Sequence, residues 1–383
     1  MDLQSVERLR SRGGFKWNTY PDDVLAAWVA EMDFGLAPPV AEALHAAIDA
    51  GEVGYPYAVL EEETATAACG FWSDRLGWEV GPSQVFPVPD VVEGLRRAIV
   101  HLTEPDSSVV LHTPVYYPFF SMVERAGRQL VDVPCQPDAD GRYRLDLESI
   151  GRAFDGGAGC IVLCNPWNPT GRAFTRAEVE AVVELASSKG SRVIADEVHA
   201  PLVRGGIQHV VAATVDPSTV VTVTSASKAW NIPGLKCAQV VLSNSADIEI
   251  WTGYFTPDKV GVSSLGLVAN AAAYRHGQEW LDQVTAQIDA NRDQLEALLA
   301  RHLPEVRFGP LEATYLAWLD FRPYGLDEPA AFFLDRARVA LSAGAPFGAG
   351  GVGHARLNFA TAPEILSEIV ERMAHAVSER LDG

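Results

Sequence analysis

Five lysines, Lys16, Lys189, Lys228, Lys236 and Lys259, are the only side-chain primary amines in a chain whose positive charge is otherwise arginine. Chemistry that starts with an amine attacking a carbonyl therefore has few candidates. One of them, Lys228, closes the tract Ser225-Ala-Ser227-Lys228, directly after the β-branched run STVVTVT (218–224). Two other apolar runs end in polar residues of complementary kind. Asn165-Pro-Trp-Asn168-Pro-Thr-Gly171 follows GCIVLC (159–164), and Asp196-Glu197-Val198-His199 follows SRVIA (191–195). An amine, a carboxylate, a carboxamide and hydroxyls at successive strand ends suit one heteroaromatic ring that carries an aldehyde and a phosphate.

Open α/β sheets bind ligands at the carboxyl ends of their strands, so these tracts are expected along one edge. Taken singly, each has an ordinary structural reading, since Asn, Pro and Gly dominate turns, Asp caps helices and a lysine after a strand is solvated. Their joint order points instead to pyridoxal 5′-phosphate. Lys228 is expected to form the Schiff base with its aldehyde and to shuttle the proton at the substrate Cα. Asp196 is expected to pair with the pyridine nitrogen and keep it protonated, and Asn168 to hydrogen-bond the phenolic oxygen. Ser225 and Ser227 would give hydroxyls to the phosphate, with Lys236 as a point charge beside them.

The elements that must position these residues read as a parallel sheet with crossover helices. The strand candidates are SVVLH (108–112), GCIVLC (159–164), SRVIAD (191–196), STVVTVT (218–224) and CAQVVLS (237–243), apolar on both faces as buried parallel strands are. Between the second and third lies TRAEVEAVVELASSKG, a helix with Thr175 as cap, Glu178 three residues on and Gly190 as its stop. Later the pattern changes. A long helical stretch (276–303) is followed by the strand-like TYLAWLDF (314–321) and the helix EPAAFFLDRARVAL. A glycine-rich loop, the strand ARLNFA and a helix from Pro363 complete an α+β tail. The expected organisation is an N-terminal segment, 1–49, joining the small domain, a large α/β domain at 50–290, and a small α+β domain at 291–383.

Composition bounds the partners. The 383 residues are 48% apolar and 21% charged, the profile of a well-cored globular protein. A net charge of −20 opposes binding to nucleic-acid phosphates or anionic membrane. No apolar window reaches the ~20 residues of a membrane span. The start, MDLQSVERLRSRGG, lacks the apolar core of a signal peptide. The five cysteines, Cys69, Cys135, Cys160, Cys164 and Cys237, are scattered without a CxxC, which argues for reduced thiols in a cytoplasmic protein. His112, His209 and Cys164 share no metal-ligand spacing and read as core or loop residues. Gly348-Ala-Gly350-Gly351-Val-Gly353 spells GxGxxG, but it leads into an extended segment rather than a helix, so it reads as a loop near the substrate mouth.

The stretches WVAEMDF (28–34), TPVYYPFF (113–120), CNPWNPTGR (164–172), ADEVHAPL (195–202) and SASKAWNIPGLK (225–236) give the chain a family likeness. It resembles the fold-type I pyridoxal-phosphate enzymes of the class I/II aminotransferase superfamily, and within them the MalY/PatB group of cystathionine and cysteine-S-conjugate β-lyases. The resemblance implies that Tyr116 stacks on one face of the cofactor and Val198 on the other, and that the amides of Val91 and Val92 hold the phosphate at a helix N-terminus. It places His199 where many aminotransferases carry a tyrosine. Arg356 would clamp the substrate α-carboxylate, with Asn168 and Tyr116 also contacting substrate. Tyr55 would reach the phosphate of a neighbouring subunit, which implies a homodimer. Two positions depart from the wider pattern: Lys236 stands where many relatives have arginine, and Glu31 where close relatives have aspartate, with no role assigned to it. The activity implied is β-elimination from L-cystathionine or another cysteine S-conjugate, giving a thiol, pyruvate and ammonia. An aminotransferase uses the same residues and is the alternative; a regulator that binds pyridoxal phosphate is the alternative of another class.

Overall fold

The computed structural model describes residues 3–253 and 261–382; Lys259 lies outside them. The strands are β1 (Leu25–Ala26), β2 (Val85–Val88), β3 (Ser108–Thr113), β4 (Leu130–Pro134), β5 (Ala158–Cys164), β6 (Arg192–Asp196), β7 (Val220–Thr224), β8 (Ala238–Leu242), β9 (Leu316–Asp320), β10 (Val339–Ala340), β11 (Ser342–Ala343) and β12 (His354–Asn358). Seven of them form one sheet in the order β2-β8-β7-β6-β5-β3-β4. Strands β3 to β7 run parallel, so the expected α/β class with a mainly parallel central sheet holds.

Alternate residues of the central strands feed opposite sides of the sheet. Ile161, Leu163, Val193 and Val220 join one apolar cluster, whereas Val162, Ile194, Val221 and Val240 join the other. Fully burying each such side chain is worth roughly 1.5–3 kcal/mol, which makes the strand ends a stiff platform. Helix Val91–Leu102 packs closely on this platform because residue 94 is glycine. A Cβ there would come within 2.8 Å of Val223 and 3.0 Å of Val88. The capping box of helix Arg176–Ser188 forms as expected, with Thr175 and Glu178 exchanging hydrogen bonds, and Gly190 follows its end at φ 67°.

Three expectations are corrected. The run CAQVVLS is a strand, but β8 is antiparallel to both β7 and β2. A strand buried on both faces has the same apolar pattern in either direction, so its orientation was not legible. Strands β2 and β4 were missed: β2 contains Pro87, tolerated because it is at the sheet edge, and β4, on the other edge, is mostly exposed. The helix expected through 341 ends at Arg336. Arg338 adopts φ 54°, and Val339–Ala340 instead pairs in parallel with Leu25–Ala26.

That pairing ties the N-terminal segment to the C-terminal part. Strands β11, β12 and β9 form a separate antiparallel sheet, and its β12 carries Arg356. Helix Gln278–His302 runs without a break through position 290. No helix of the described residues is long and apolar enough to cross a membrane.

Candidate active site

One edge of the large sheet collects the chemistry. Strands β2, β3, β5, β6 and β7 all end there, and β8, being reversed, begins there. This reversal is what brings Lys236 and Cys237 to the same edge as Lys228.

Each turn leaving that edge is held by its own hydrogen bonds. After β5, the Asn165 amide donates to the Asp196 carbonyl at 3.0 Å, and the Trp167 amide donates to Arg172 at 2.7 Å. Gly171 takes φ 76°, the buried Trp167 indole donates to the Pro114 carbonyl at 2.7 Å, and buried Arg172 pairs with Glu178 at 2.8 Å. Asn168 is thereby fixed at the crest of the turn. After β7, the Ser225 hydroxyl donates to the Cys237 carbonyl at 2.7 Å and accepts the Ser227 amide at 2.9 Å, which shapes the turn bearing Lys228. After β2, Asp90 caps helix Val91–Leu102 by accepting the Glu93 amide at 2.8 Å. The first-turn amides of Val91 and Val92 have no intrahelical acceptor, and the helix N-terminus favours an anion.

These residues enclose a cavity of about 430 Å³. Of the residues expected at the site, Val91, Val92, Tyr116, Asn168, Asp196, Val198, His199, Ser225, Ser227, Lys228 and Lys236 line it. Arg356 reaches the same place from β12, with one guanidinium nitrogen donating to Asn168 Oδ1 at 3.0 Å. Its other terminal nitrogen donates to the Trp28 carbonyl at 2.9 Å and the Ser342 hydroxyl at 3.1 Å, while Nε is buried without a partner. Tyr55 is the exception; it is 88% exposed and lies outside the cavity of its own chain.

One expectation about the phosphate end changes. Ser225 gives its O–H to Cys237, so of the two serines only Ser227 keeps a hydroxyl for a ligand. Lys236 is ion-paired with Asp90, and the two charges sit together at the helix N-terminus. The glycine-rich loop lies between β11 and β12 as expected for a loop, and Phe347 within it places its ring 5.0 Å from the Arg356 guanidinium.

Burial tunes the titratable groups. Asp196 is pushed up to about 7, because its carboxylate is buried with only the Val198 amide, at 3.1 Å, as hydrogen-bond donor. Lys228 is brought down to about 8 by burial and then by the charge of Arg356. His199 is held well below its usual range by burial, with Lys228 and Arg356 adding to the effect, so it stands as a neutral imidazole. Burial pushes Tyr116 up to about 12. The edge thus offers an amine near neutrality for a carbonyl, a buried carboxylate with no ion-pair contact among the described residues, and unsatisfied amides for an anion.

The profile of the class I and II aminotransferases matches residues 14–373. The chain belongs to that family. Among its members, the chain is 40% identical to the cystathionine beta-lyase of Corynebacterium glutamicum, over 98% of this chain and 99% of the relative. It is 34% identical to the cystathionine beta-lyase PatB of Bacillus subtilis over 93% of each. The PLP-bound C-S lyase of Staphylococcus hominis superposes with a TM-score of 0.92 at 26% identity, over all of both chains.

For this family member, sequence reasoning missed the role of WVAEMDF. Its backbone forms a strap across the site. The Ala30 carbonyl accepts from Lys228 Nζ at 3.1 Å and from the Tyr315 hydroxyl at 3.0 Å. Asn358 donates to the Val29 and Glu31 carbonyls, and the Asn231 side chain pairs with both the amide and the carbonyl of Met32. The strap's polar contribution comes mainly from main-chain groups, which carry no residue-type signature. Tyr315, although within a recognised strand pattern, was not singled out for the same reason: its role depends on the strap.

Proposed function

We propose that the chain is a pyridoxal-phosphate-dependent carbon–sulfur β-lyase acting on L-cystathionine or a related cysteine S-conjugate. The observation that carries it is the buried convergence of Lys228, Asp196, Asn168 and Arg356 with a neutral His199. The residues present suit the cofactor. The buried Asp196 carboxylate accepts the Val198 amide and makes no ion-pair contact among the described residues, which suits a protonated ring nitrogen, and the Val91 and Val92 amides suit an anion. The high identity to relatives named cystathionine beta-lyase supports elimination over transamination.

When bound, the cofactor supplies an electron-accepting ring conjugated to the substrate Cα. Asp196 would hold its ring nitrogen and Asn168 its phenolic oxygen, with Tyr116 and Val198 packing against the ring. The Val91 and Val92 amides, Ser227 and Lys236 would hold its phosphate. Arg356 receives the substrate α-carboxylate, for which its unpartnered Nε is available. Lys228 would hold the cofactor aldehyde and, as a free amine, would take the proton from the substrate Cα; an amine near 8 is matched to that task. The Cβ–S bond then breaks, a thiolate departs, and hydrolysis of the released aminoacrylate yields pyruvate and ammonia.

The proposal includes a homodimer in which Tyr55 completes the partner's phosphate site. It is supported by the exposed apolar run Val53, Tyr55, Tyr57 and Val59, of which Tyr55 is the most exposed. A cytoplasmic location is supported by five free thiols, four of them buried. The test is to incubate purified protein and cofactor with L-cystathionine and no keto acid, assaying pyruvate and thiol together. Sustained release of both is expected. Spectral bleaching that stops after one turnover and recovers only with a keto acid would make the protein an aminotransferase. Binding of cofactor without turnover of either kind would leave only the regulator.

A further inference from the structure

Arg356 is only 2% exposed, and all of its hydrogen-bond acceptors are neutral: Asn168 Oδ1, the Trp28 carbonyl and the Ser342 hydroxyl. It makes no ion-pair contact among the described residues, and burial draws its pKa below the ordinary value. A buried charge without a partner is costly. A carboxylate from the protein would be the ordinary remedy. It would also occupy the N–H fork that a substrate carboxylate needs.

The structure holds a different compensation. The guanidinium carbon of Arg356 lies over the Phe347 ring, 5.0 Å from its centroid and within reach of a cation–π contact. A ring face attracts the cation yet engages none of its N–H groups, and Nε keeps no protein partner. Phe347 is itself fully buried and clamped by aromatic neighbours. Trp318 stands 5.2 Å from it, and Tyr117 meets it edge-on at 5.5 Å. Trp318 lies directly opposite Arg356 in the β9–β12 pairing, so the two side chains share one face of that sheet.

The glycine-rich tract that spells GxGxxG makes this seat possible. The Phe347 carbonyl accepts the Val115 amide at 2.9 Å, and the Phe347 amide donates to the Gly344 carbonyl at 2.9 Å. The next residue, Gly348, takes φ 101°, and a Cβ there would lie 2.6 Å from Thr113 and 2.9 Å from Phe120. A Cβ on Gly351 would collide with the Gly344 carbonyl. The tract thus folds closely on itself and on the segment after β3, a path that larger residues forbid. Its consequence is a fixed place for Phe347.

We propose that Phe347 is a positioning residue for the substrate. Its ring face holds the Arg356 guanidinium in plane without taking up an N–H, so that Nε and one terminal nitrogen stay available to the α-carboxylate. This rests on the reading in which Arg356 receives that carboxylate.

The holoprotein and two aminooxy probes test this without turnover. Aminooxyacetate and methoxyamine differ only in the carboxylate that the first carries. Each displaces Lys228 from the cofactor's carbonyl carbon through its own amine nitrogen, Lys228 leaving as the amine, and visible absorbance reports the rate. The wild type is expected to favour aminooxyacetate, and Arg356→Ala to lose that preference. Phe347→Leu is expected to slow aminooxyacetate about 10-fold and to leave methoxyamine within about twofold. Phe347→Tyr keeps the ring and should keep the preference. Phe347→Met replaces the leucine variant if that one fails to fold. A merely structural residue would slow both probes alike. That outcome overturns the proposal, as does an unchanged preference in Phe347→Leu or an equal loss in Phe347→Tyr. A wild type without any preference, unaltered by Arg356→Ala, would sink the carboxylate role of Arg356 and the proposal with it.

Discussion

Replacing Arg356 with alanine is expected to damage catalysis far more than cofactor binding. In the structure its guanidinium donates to Asn168, Trp28 and Ser342, and its buried Nε has no acceptor. A substrate carboxylate would take the free Nε and one terminal nitrogen as a two-point contact. Each charge-assisted bond is worth about 1.5–3 kcal/mol, so losing two costs about 3–6 kcal/mol, or roughly two to four and a half orders of magnitude in kcat/KM. Arg356→Lys keeps the charge but surrenders one bond and the fork geometry, and about a 10- to 100-fold loss follows. The assay is pyruvate formation against L-cystathionine concentration, with cofactor affinity measured in parallel from its visible absorbance. Stability must be followed too, because the alanine variant strands the Trp28 and Asn168 acceptors. Loss of thermal stability with kcat/KM within about threefold of the wild type would refute the reasoning, since Arg356 would then only tie the strap to β12.

Three further outcomes follow from the geometry. Gly94→Ala should destabilise the protein by about 1–3 kcal/mol in urea unfolding, and should weaken cofactor retention, because the new methyl pushes the helix N-terminus off Val223 and Val88. Asp196 has its folded-state value raised from 3.8 to about 7, so its contribution to stability is present below about pH 4 and lost as pH rises to 7. The cofactor-free protein should therefore lose up to about 4 kcal/mol across that window, and Asp196→Asn should flatten this part of its pH–stability curve. If Tyr55 serves the partner's site, Tyr55→Ala and Lys228→Ala should each be inactive, and mixing the two under subunit exchange should restore activity; no recovery would remove Tyr55 from the site.

Lys228, Asp196 and Asn168 were legible because each stands just past a strand whose apolar run is plain, and chain adjacency alone delivers them to the edge. The turn around Gly171 was legible for the same local reason, whereas the helix N-terminus at Val91, whose preceding strand β2 went unread, came only with the family likeness. Strand direction was not. The reversal of β8, which brings Lys236 to the site, leaves no mark on a strand buried on both faces.

By itself, the sequence determined the kind of chemistry: which side chains are present, in what order, and at which strand ends. Tertiary structure alone decided how they are held. Arg356 meets Asn168 across 188 residues, and Lys228 meets the Ala30 carbonyl across 198. The strap's carbonyls likewise gain meaning only from what packs against them. A side chain advertises its chemistry by its type, whereas a main-chain carbonyl is the same at every residue and acquires a role only through its position. Burial, which draws Asp196 up and Lys228 down towards neutrality, is likewise a property of the packed interior.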